Sequence, residues 1–316
     1  MANKLKNDIP NRQVMSQVLT NEAKKNKDLI VLTSDSRGSA KLDGFAAALP
    51  DQLVEVGIAE QNIVSIAAGL AHSGKRPFVV SPAAFLSTRS IEQVKVDVAY
   101  SDTNVKLVGI SGGVAYGQLG MSHHSLQDLA VTRAIPNLQV MMPADRFETE
   151  KMFEALVHTD QPAYIRIGRN PVEDVYEDTN YEFEIGKAVT LKEGEDMTFI
   201  ATGETVRVAL DAAIALEKDG IHVRILNMHT IKPLDVNAIL QAAEETGRII
   251  TLEEHSIYGG LGGAVSEVVS ENHPVPVKIL GIPDEPAISG NTSQVFNHYG
   301  LNVDSISKIA KKMIRS

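Results

Sequence analysis

Short apolar runs alternate with amphipathic stretches along most of the chain. The apolar runs predict strands in segments 29–35, 54–57, 77–82, 105–113, 138–142, 162–168, 197–203, 222–228, 248–254 and 277–283. Helical spacing of apolar residues predicts helices over 12–23, 60–72, 205–218, 235–246 and near 303–314, with another helix after 259–263. Continuous apolar strands separated by helices are typical of parallel sheets covered on both faces. The pattern therefore predicts an α/β fold with two doubly wound units.

A break in this alternation lies near the middle of the chain. Residues 170–188 are acidic, poor in apolar side chains and begin near a proline, which is typical of a crossing between domains. We expect a first α/β domain over residues 1–172, a linker over 173–188, and a second, smaller α/β domain over 189–316.

Several chemically distinctive side chains follow the predicted strands of the first domain. They are Asp35, Glu60, Phe85, Ser111 and Arg169. In open parallel sheets, ligands bind outside the carboxyl ends of the strands. We therefore expect these five side chains to lie along one rim of the sheet.

Glu60 stands at the predicted strand-to-helix corner of segment 54–72, after a turn at Gly57. A residue in such a loop, held by a rigid scaffold, often carries chemistry. A glutamate in the first turn of a helix also complements the helix dipole without any further role. Spacing alone favours the second interpretation.

Composition narrows the function classes. Apolar residues make up 43% of the 316 positions, but no run of about 18 apolar residues predicts a membrane span. Residues 1–11 lack the apolar core of a signal peptide, and the absence of cysteine fits a cytoplasmic protein. A net charge of −10 disfavours nucleic acid and anionic lipid as general partners.

Two motifs that could suggest a ligand give weak signals. His123 and His124 are adjacent, so they do not share a helix face, and no carboxylate or cysteine spacing completes a set of metal ligands. We therefore predict no metal site on this chain. The Gly-rich run at 111–120 lacks both common phosphate-binding patterns.

Four separated segments, in order, resemble the transketolase family of thiamine-diphosphate enzymes. They are GIAEQN (57–62), FLSTRSIEQV (85–94), HHSLQDLAVTRAIPNLQVMMPAD (123–145) and EEHSIYGGLGGAVSE (253–267). The resemblance spans nearly the whole chain and covers the family's pyrimidine-binding domain and the smaller C-terminal domain. It implies a two-carbon ketol transfer between sugar phosphates.

The family's diphosphate-binding domain, with its metal-holding GDG segment, has no counterpart among these residues. The resemblance thus implies the C-terminal subunit of a split transketolase. Thiamine diphosphate would then lie between two chains, with Mg²⁺ held by the partner subunit, most plausibly in an α2β2 assembly. This chain alone would be inactive.

The resemblance also assigns residues to the cofactor. Glu60 matches the catalytic glutamate that contacts the aminopyrimidine ring and promotes its imino tautomer, which deprotonates the thiazolium. Ile58 matches the position that supports the cofactor's bent shape. Phe85 matches the residue that stacks on the ring, and Asp35 matches an aspartate near the cofactor.

Substrate positions are matched less evenly. Arg12, Ser39 and Arg169 match the residues that grip the sugar phosphate, a role to which guanidinium groups are well suited. His123 matches a histidine that contacts hydroxyls near the reacting carbon.

Other substrate positions depart from the family. Ser111 replaces another histidine of the substrate site, and Leu119 replaces a hydroxyl-reading aspartate. Loss of such polar groups is expected to change which sugars are accepted.

Three alternatives remain open. One is a 1-deoxyxylulose-5-phosphate synthase-like reaction that starts from pyruvate. Another is the β subunit of a 2-oxo acid dehydrogenase. A third, from another class, is a cofactor-free regulatory subunit. HSLQDLAVTRAIPNL and the arginines favour the sugar enzymes over the dehydrogenase, and GIAEQN with Phe85 disfavours a regulatory role.

Overall fold

The computed structural model describes residues 8–315, which form two β-sheets with helices packed against them. The expected absence of a signal peptide concerns residues 1–11, of which 1–7 lie outside the described residues, as does Ser316. The strands of the described chain are β1 (Leu29–Thr33), β2 (Leu53–Glu55), β3 (Arg76–Pro82), β4 (Lys106–Ile110), β5 (Gln139–Met141), β6 (Ala163–Ile167), β7 (Val189–Lys192), β8 (Met197–Ala201), β9 (Val223–Asn227), β10 (Thr230–Lys232), β11 (Ile249–Ser256) and β12 (Val277–Ile282).

Helices connect most of these strands. The α-helices are α1 (Asn11–Lys25), α2 (Asp43–Ala48), α3 (Glu60–His72), α4 (Ile91–Gln93), α5 (Asp128–Arg133), α6 (Arg146–Leu156), α7 (Thr205–Glu217), α8 (Val236–Thr246), α9 (Leu261–Asn272), α10 (Thr292–His298) and α11 (Val303–Arg315). Two π-helical segments (Phe85–Arg89 and Val94–Tyr100) flank α4, and 3₁₀ turns form at Pro50–Gln52 and Gly117–Ser122.

The first sheet has the strand order β10-β5-β6-β4-β3-β1-β2, and all neighbouring strands except β10 are parallel. Strands β1, β4 and β6 are buried along their whole length, as their continuous apolar sequences predict. Because the strands run in one direction, their carboxyl ends lie along the same rim, as expected from the sequence.

The second sheet has the order β12-β11-β8-β9-β7. Strands β12, β11, β8 and β9 are parallel, whereas β7 pairs with β9 antiparallel. Two α/β sheets with helices between the strands confirm the predicted fold class. The sequence pattern missed β7 because the strand has four residues and is only partly buried.

Strand β10 departs from a simple division of the chain into two halves. It follows β9 of the second sheet but pairs antiparallel with β5, at the edge of the first sheet. Its neighbour His229 accepts a 2.8 Å hydrogen bond at its carbonyl from the Met142 amide. The largest apolar cluster accordingly mixes side chains from both sheets, including Val140, Met142, Ile200 and Ile231.

The segment between the two sheets is docked onto the first one. Asp174 is buried and forms a 2.9 Å ion pair with Arg146 at the start of α6. The ring of Tyr176 stacks on Tyr181 with centroids 4.0 Å apart. These contacts fix the path of the acidic segment across the surface.

Candidate active site

Glu60 begins helix α3, immediately after the corner that the sequence predicted. Strand β2 ends at Glu55, and Gly57 turns the chain with a φ of 70° in the left-handed region. Glu60 is only 3% exposed. Its Oε2 accepts a hydrogen bond of 2.9 Å from Nη1 of Arg89, which completes an ion pair. A buried carboxylate at a strand-to-helix corner, held by one cation, is placed for chemistry.

Phe85 and Arg89 lie on the same π-helical turn after strand β3. The Arg89 guanidinium lies 4.3 Å from the centroid of the Phe85 ring, so one cation contacts both the ring and Glu60. Single π-helical turns often occur at functional sites. Arg89 was missed from the sequence, although its position four residues after Phe85 places the two side chains on one helical face.

His123 joins Phe85 to the next loop. The two ring centroids are 5.3 Å apart in an edge-to-face arrangement, and the centroid of the Tyr116 ring lies 5.7 Å from that of His123. The hydroxyl of Ser122 is 3.0 Å from Nδ1 of His123. Tyr116 was also missed, because it lies in the Gly-rich run that carries no phosphate-binding pattern.

Arg12, Ser39 and Arg169, here called the phosphate cluster, adjoin this line of rings. The Arg169 guanidinium lies 4.8 Å from the centroid of Tyr116. Nε of Arg12 donates a 2.8 Å hydrogen bond to the backbone carbonyl of Arg169, and Nη1 donates to the carbonyl of Ser39. These contacts bring the three residues together.

The hydrogen bonds that join the three residues of the phosphate cluster go to backbone carbonyls and involve no carboxylate. Burial lowers the pKa of the Arg12 guanidinium, and the charge of Arg169 lowers it further. Nη1 of Arg169 is buried and has no hydrogen-bond partner in the described part of the chain. Two adjacent guanidinium groups with an unused donor favour an anionic ligand.

Contacts thus run without a break from Glu60 through Phe85 and His123 to the phosphate cluster. The links are Arg89 at one end and Tyr116 at the other, with each successive pair within the distances given above. The line joins a buried carboxylate, an aromatic face and two adjacent guanidinium groups.

Three other predicted site residues, within the described part of the chain, form no hydrogen bond, ion pair or ring contact with that line. Asp35 is exposed, has a φ of 52°, and its amide donates to Oε1 of Glu55 at 2.7 Å. Ile58 is 73% exposed, which is unusual for a large apolar side chain. Ser111 is buried with a φ of 54°, and its hydroxyl has no partner among residues 8–315.

Other ligand types find little support in the described residues. Residues 8–315 contain no group of three or more His, Cys, Asp or Glu side chains arranged to hold a metal ion. Within the same residues, no helix combines the length and apolar character needed to cross a membrane.

Comparison with known families agrees with this geometry. The pyrimidine-binding domain of transketolase matches residues 7–173, and the C-terminal domain of transketolase matches residues 186–306. The chain belongs to the transketolase family. This finding confirms the family predicted from the four sequence segments, and the family implies thiamine diphosphate as cofactor.

Individual relatives specify the kind of polypeptide. The chain is 53% identical to a subunit of the apulose-4-phosphate transketolase of Phocaeicola vulgatus, with 98% of this chain and 99% of the relative covered. It is 36% identical to the transketolase of Homo sapiens, but it covers only 50% of that protein and 98% of itself.

A solved structure described as a split gene transketolase, inactive beta4 tetramer, superposes with a TM-score of 0.88. It is 36% identical, with 98% of this chain and 99% of that chain covered. These comparisons confirm the prediction of a transketolase-type transferase subunit.

Proposed function

We propose that this chain is the pyrimidine-binding subunit of a thiamine-diphosphate-dependent transketolase that transfers a two-carbon ketol unit between sugar phosphates. The observation that carries the proposal is the unbroken line of contacts from the buried Glu60 to the phosphate cluster. Residues 1–172 and 189–316 would be its two domains, joined by the linker 173–188.

The residues of this chain fit the pyrimidine end of the cofactor. Glu60 is a buried carboxyl that can share a proton with a ring nitrogen, which lessens the cost of burying its charge. Phe85 offers a flat apolar face, and the exposed Ile58 offers an apolar support two residues before Glu60. When bound, thiamine diphosphate supplies the carbanion chemistry that breaks and forms the carbon–carbon bond.

Arg89 occupies part of the space that the pyrimidine ring would need. Its guanidinium is in contact with both Glu60 and one face of Phe85. Stacking of a pyrimidine on that face requires Arg89 to swing away. Its side chain is 46% exposed, so solvent can take up the displaced charge.

The phosphate cluster and His123 give the substrate its orientation. Arg12 and Arg169 bind the terminal phosphate of the sugar, and His123 contacts the hydroxyls nearer the reacting carbon. Ser39 contributes its backbone carbonyl to the placing of Arg12. Ser111 and the 55% exposed Leu119 lack the polar groups of the family pattern, which supports a donor other than the common pentose and hexose phosphates.

A partner subunit completes the enzyme in this proposal. It contributes the diphosphate-binding domain and the Mg²⁺ site, and the two chains form an α2β2 assembly in the cytoplasm. The proposal of a partner is supported by the similarity, over nearly the full length of both chains, to a relative that is itself one subunit of a transketolase. The similarity to the chain of a split gene transketolase supports it as well.

Co-expression tests the function. The chain is purified with a partner that carries the GDG metal segment, loaded with thiamine diphosphate and Mg²⁺, and assayed with apulose 4-phosphate and other ketose phosphates as donors. We expect ketol transfer to an aldose phosphate by the pair and none by either chain alone. A loaded pair that consumed only pyruvate would overturn the proposal in favour of a synthase-like reaction, and failure of the pair to bind cofactor would favour a regulatory subunit.

A further inference from the structure

The loop that carries His123 is held at both ends by one buried cluster of charges. This loop, residues 111–125, is here called the His123 loop. Its ends meet where Gly113 and Ser125 exchange two backbone hydrogen bonds of 3.1 and 2.8 Å. Tyr116 and His123 lie between these ends, so the closure at Gly113 constrains the segment that carries both rings.

Arg166, on strand β6, lies at the centre of the charge cluster and is fully buried. One of its nitrogens contacts Asp128 at 3.4 Å, directly after the His123 loop. Another contacts Oε2 of Glu254 at 3.2 Å and the backbone carbonyl of Glu254 at 2.5 Å. Asp128 also accepts a 2.7 Å hydrogen bond from the hydroxyl of Tyr164.

Glu254 belongs to strand β11 of the second sheet, yet its carboxylate reaches the His123 loop. Its Oε1 accepts a 2.8 Å hydrogen bond from the amide of Val114, 140 residues earlier in the chain. The approach is so close that a Cβ on Gly113 would overlap both the Glu254 carboxyl carbon and Nη2 of Arg166. A residue with a side chain at position 113 would therefore displace the Glu254 carboxylate.

Two further contacts come from the second half. The amide of Gly290 donates to the carbonyl of Gly117, within the loop, at 3.2 Å, and the amide of Ser256 donates to the carbonyl of Leu126, the residue after the loop, at 2.9 Å. Glu254 differs from these contacts because its side chain joins the loop and the central cation at once. When a buried ion pair loses one partner, the other charge stays buried without compensation, which is strongly destabilising. Removal of the Glu254 carboxylate should therefore disturb the contacts around Arg166.

We propose that Glu254 is a positioning residue of the active site: through Arg166 and the Val114 amide it fixes the His123 loop, and with it the rings of Tyr116 and His123. The smaller half of the chain then takes part in substrate orientation in addition to its structural contacts. The kinetic consequence rests on the proposed function, whereas the effect on the loop does not.

Hydrogen exchange on the isolated full chain tests the effect on the loop. We expect Glu254→Ala to raise amide exchange across residues 114–125 by about tenfold or more, because the Val114 amide loses its acceptor. Strands β1, β3 and β4 should be unchanged, because Glu254 makes no hydrogen bond to them in the described residues. Glu254→Gln keeps an acceptor for the Val114 amide and is expected to retain part of the protection.

Glu253→Gln is the matched control. Glu253 is equally buried on the same strand, but its carboxylate accepts from the amides of Leu261 and Gly262 at 2.7 and 2.8 Å, away from the His123 loop. Loop exchange at the wild-type rate in both Glu254 variants would overturn the proposal. So would an equal rise in Glu253→Gln, or a uniform rise over the whole chain. If Glu254→Ala does not fold, Glu254→Gln decides by the same criterion.

Kinetics of the assembled pair then test the consequence for the site. Well below the unfolding temperature, Glu254→Ala is expected to lower kcat/KM for a phosphorylated donor by about a hundredfold, since small displacements of orienting groups have effects of that size. Glu254→Gln should recover part of this loss, and Glu253→Gln should stay near wild type. Normal kcat/KM in a folded Glu254→Ala enzyme would exclude a positioning role. If the wild-type pair showed no ketol transfer, the proposed function would be refuted. The hydrogen-exchange result would then still test whether Glu254 fixes the His123 loop.

Discussion

At the scale of single residues, the ion pair between Glu60 and Arg89 joins a buried group to a partly exposed one. The carboxylate is almost fully buried and the guanidinium is half exposed. A buried carboxylate without a cation or a hydrogen bond is costly, so Arg89 stabilises the free subunit. In the proposed function, a cofactor ring that shares a proton with Glu60 would take over that task, and Arg89 would then return to solvent.

Glu60→Gln tests the acid–base role directly. We expect a loss of ketol transfer of at least about a hundredfold, because an amide cannot exchange a proton with the ring. Assembly with the partner should persist, since the amide oxygen still accepts a hydrogen bond from Arg89. Turnover is measured by coupled assay and assembly by size-exclusion chromatography. Glu267→Gln, which alters an exposed carboxylate paired with Arg133, is the control; undiminished turnover in Glu60→Gln would remove Glu60 from this role.

Arg169→Ala tests the phosphate cluster. The variant removes a guanidinium that has an unused donor, so KM for a phosphorylated donor should rise about tenfold or more, with little change for an unphosphorylated sugar. Steady-state kinetics with the two donors provide the measurement. Arg224→Ala, whose parent guanidinium pairs with Glu245 in the second half, is the control. Equal effects on both donors would argue against a phosphate role.

At the scale of elements, the start of helix α6 joins the first sheet to the docked linker. Asp145 caps the helix by accepting from the Glu148 amide at 2.9 Å, and Glu148 accepts from the Ala144 amide at 2.7 Å. The linker adds the hydroxyl of Tyr176 at 3.0 Å from Glu148, and Asn227 of the second sheet adds its amide at 2.8 Å. One buried carboxyl therefore connects three parts of the chain.

This element should be sensitive to pH. Burial raises the pKa of Glu148 from 4.5 to about 7, although hydrogen bonds from Ala144, Asn227 and Tyr176 oppose the shift. The folded chain then holds a proton that the unfolded chain has lost, so this contribution to stability is fully present below about pH 4.5 and is lost as pH rises through about 7.

Glu148→Gln removes that titration. We expect the free energy of unfolding of the variant to fall less than that of the wild type between pH 5 and 8, by an amount on the order of a few kcal/mol at most. Unfolding is followed by circular dichroism across the pH series. Distant buried groups with similarly raised pKa values, such as Glu253, titrate in both proteins and cancel in the difference. Asp145 does not cancel fully, because the charge of Glu148 contributes to its raised pKa. Parallel pH curves for the two proteins would contradict the assignment.

At the scale of the whole molecule, the two sheets share buried contacts. Strand β10 leaves the second half to extend the first sheet, and the largest apolar cluster contains residues of both. The buried contacts of Glu254 and Arg166 cross the same boundary. Shared cores and buried ion pairs of this kind make independent unfolding of either half costly.

We therefore expect a single unfolding transition for the isolated chain. Scanning calorimetry at two protein concentrations should give one peak with agreeing calorimetric and van't Hoff enthalpies. Ile231→Asp places a charge in the shared core, where Ile231 is 1% exposed, and should lower the Tm by several degrees. Val236→Asp, at a position 40% exposed, should change it little. Two resolved transitions in the wild type would disprove the shared core.

The order of apolar and polar residues is enough to predict the α/β class, the positions of most long strands and helices, and the rim on which the candidate site lies. Local patterns suffice for this, because apolar runs between helices force strands to be parallel and parallel strands end on one side. The corner at Glu60 could be read in the same way from Gly57 and the helical spacing that follows.

Which side chains meet on that rim depends on contacts between distant parts of the chain, and these follow from the folded structure. Arg89 and Tyr116 become links in the site because loops from different strands converge there, and Ser39 contributes its carbonyl because the guanidinium of Arg12 reaches it. Glu254 reaches Val114 across 140 residues. Strand β10 joins the first sheet for the same reason: a three-residue segment has too little pattern of its own, and its partner is fixed by packing between distant parts of the chain.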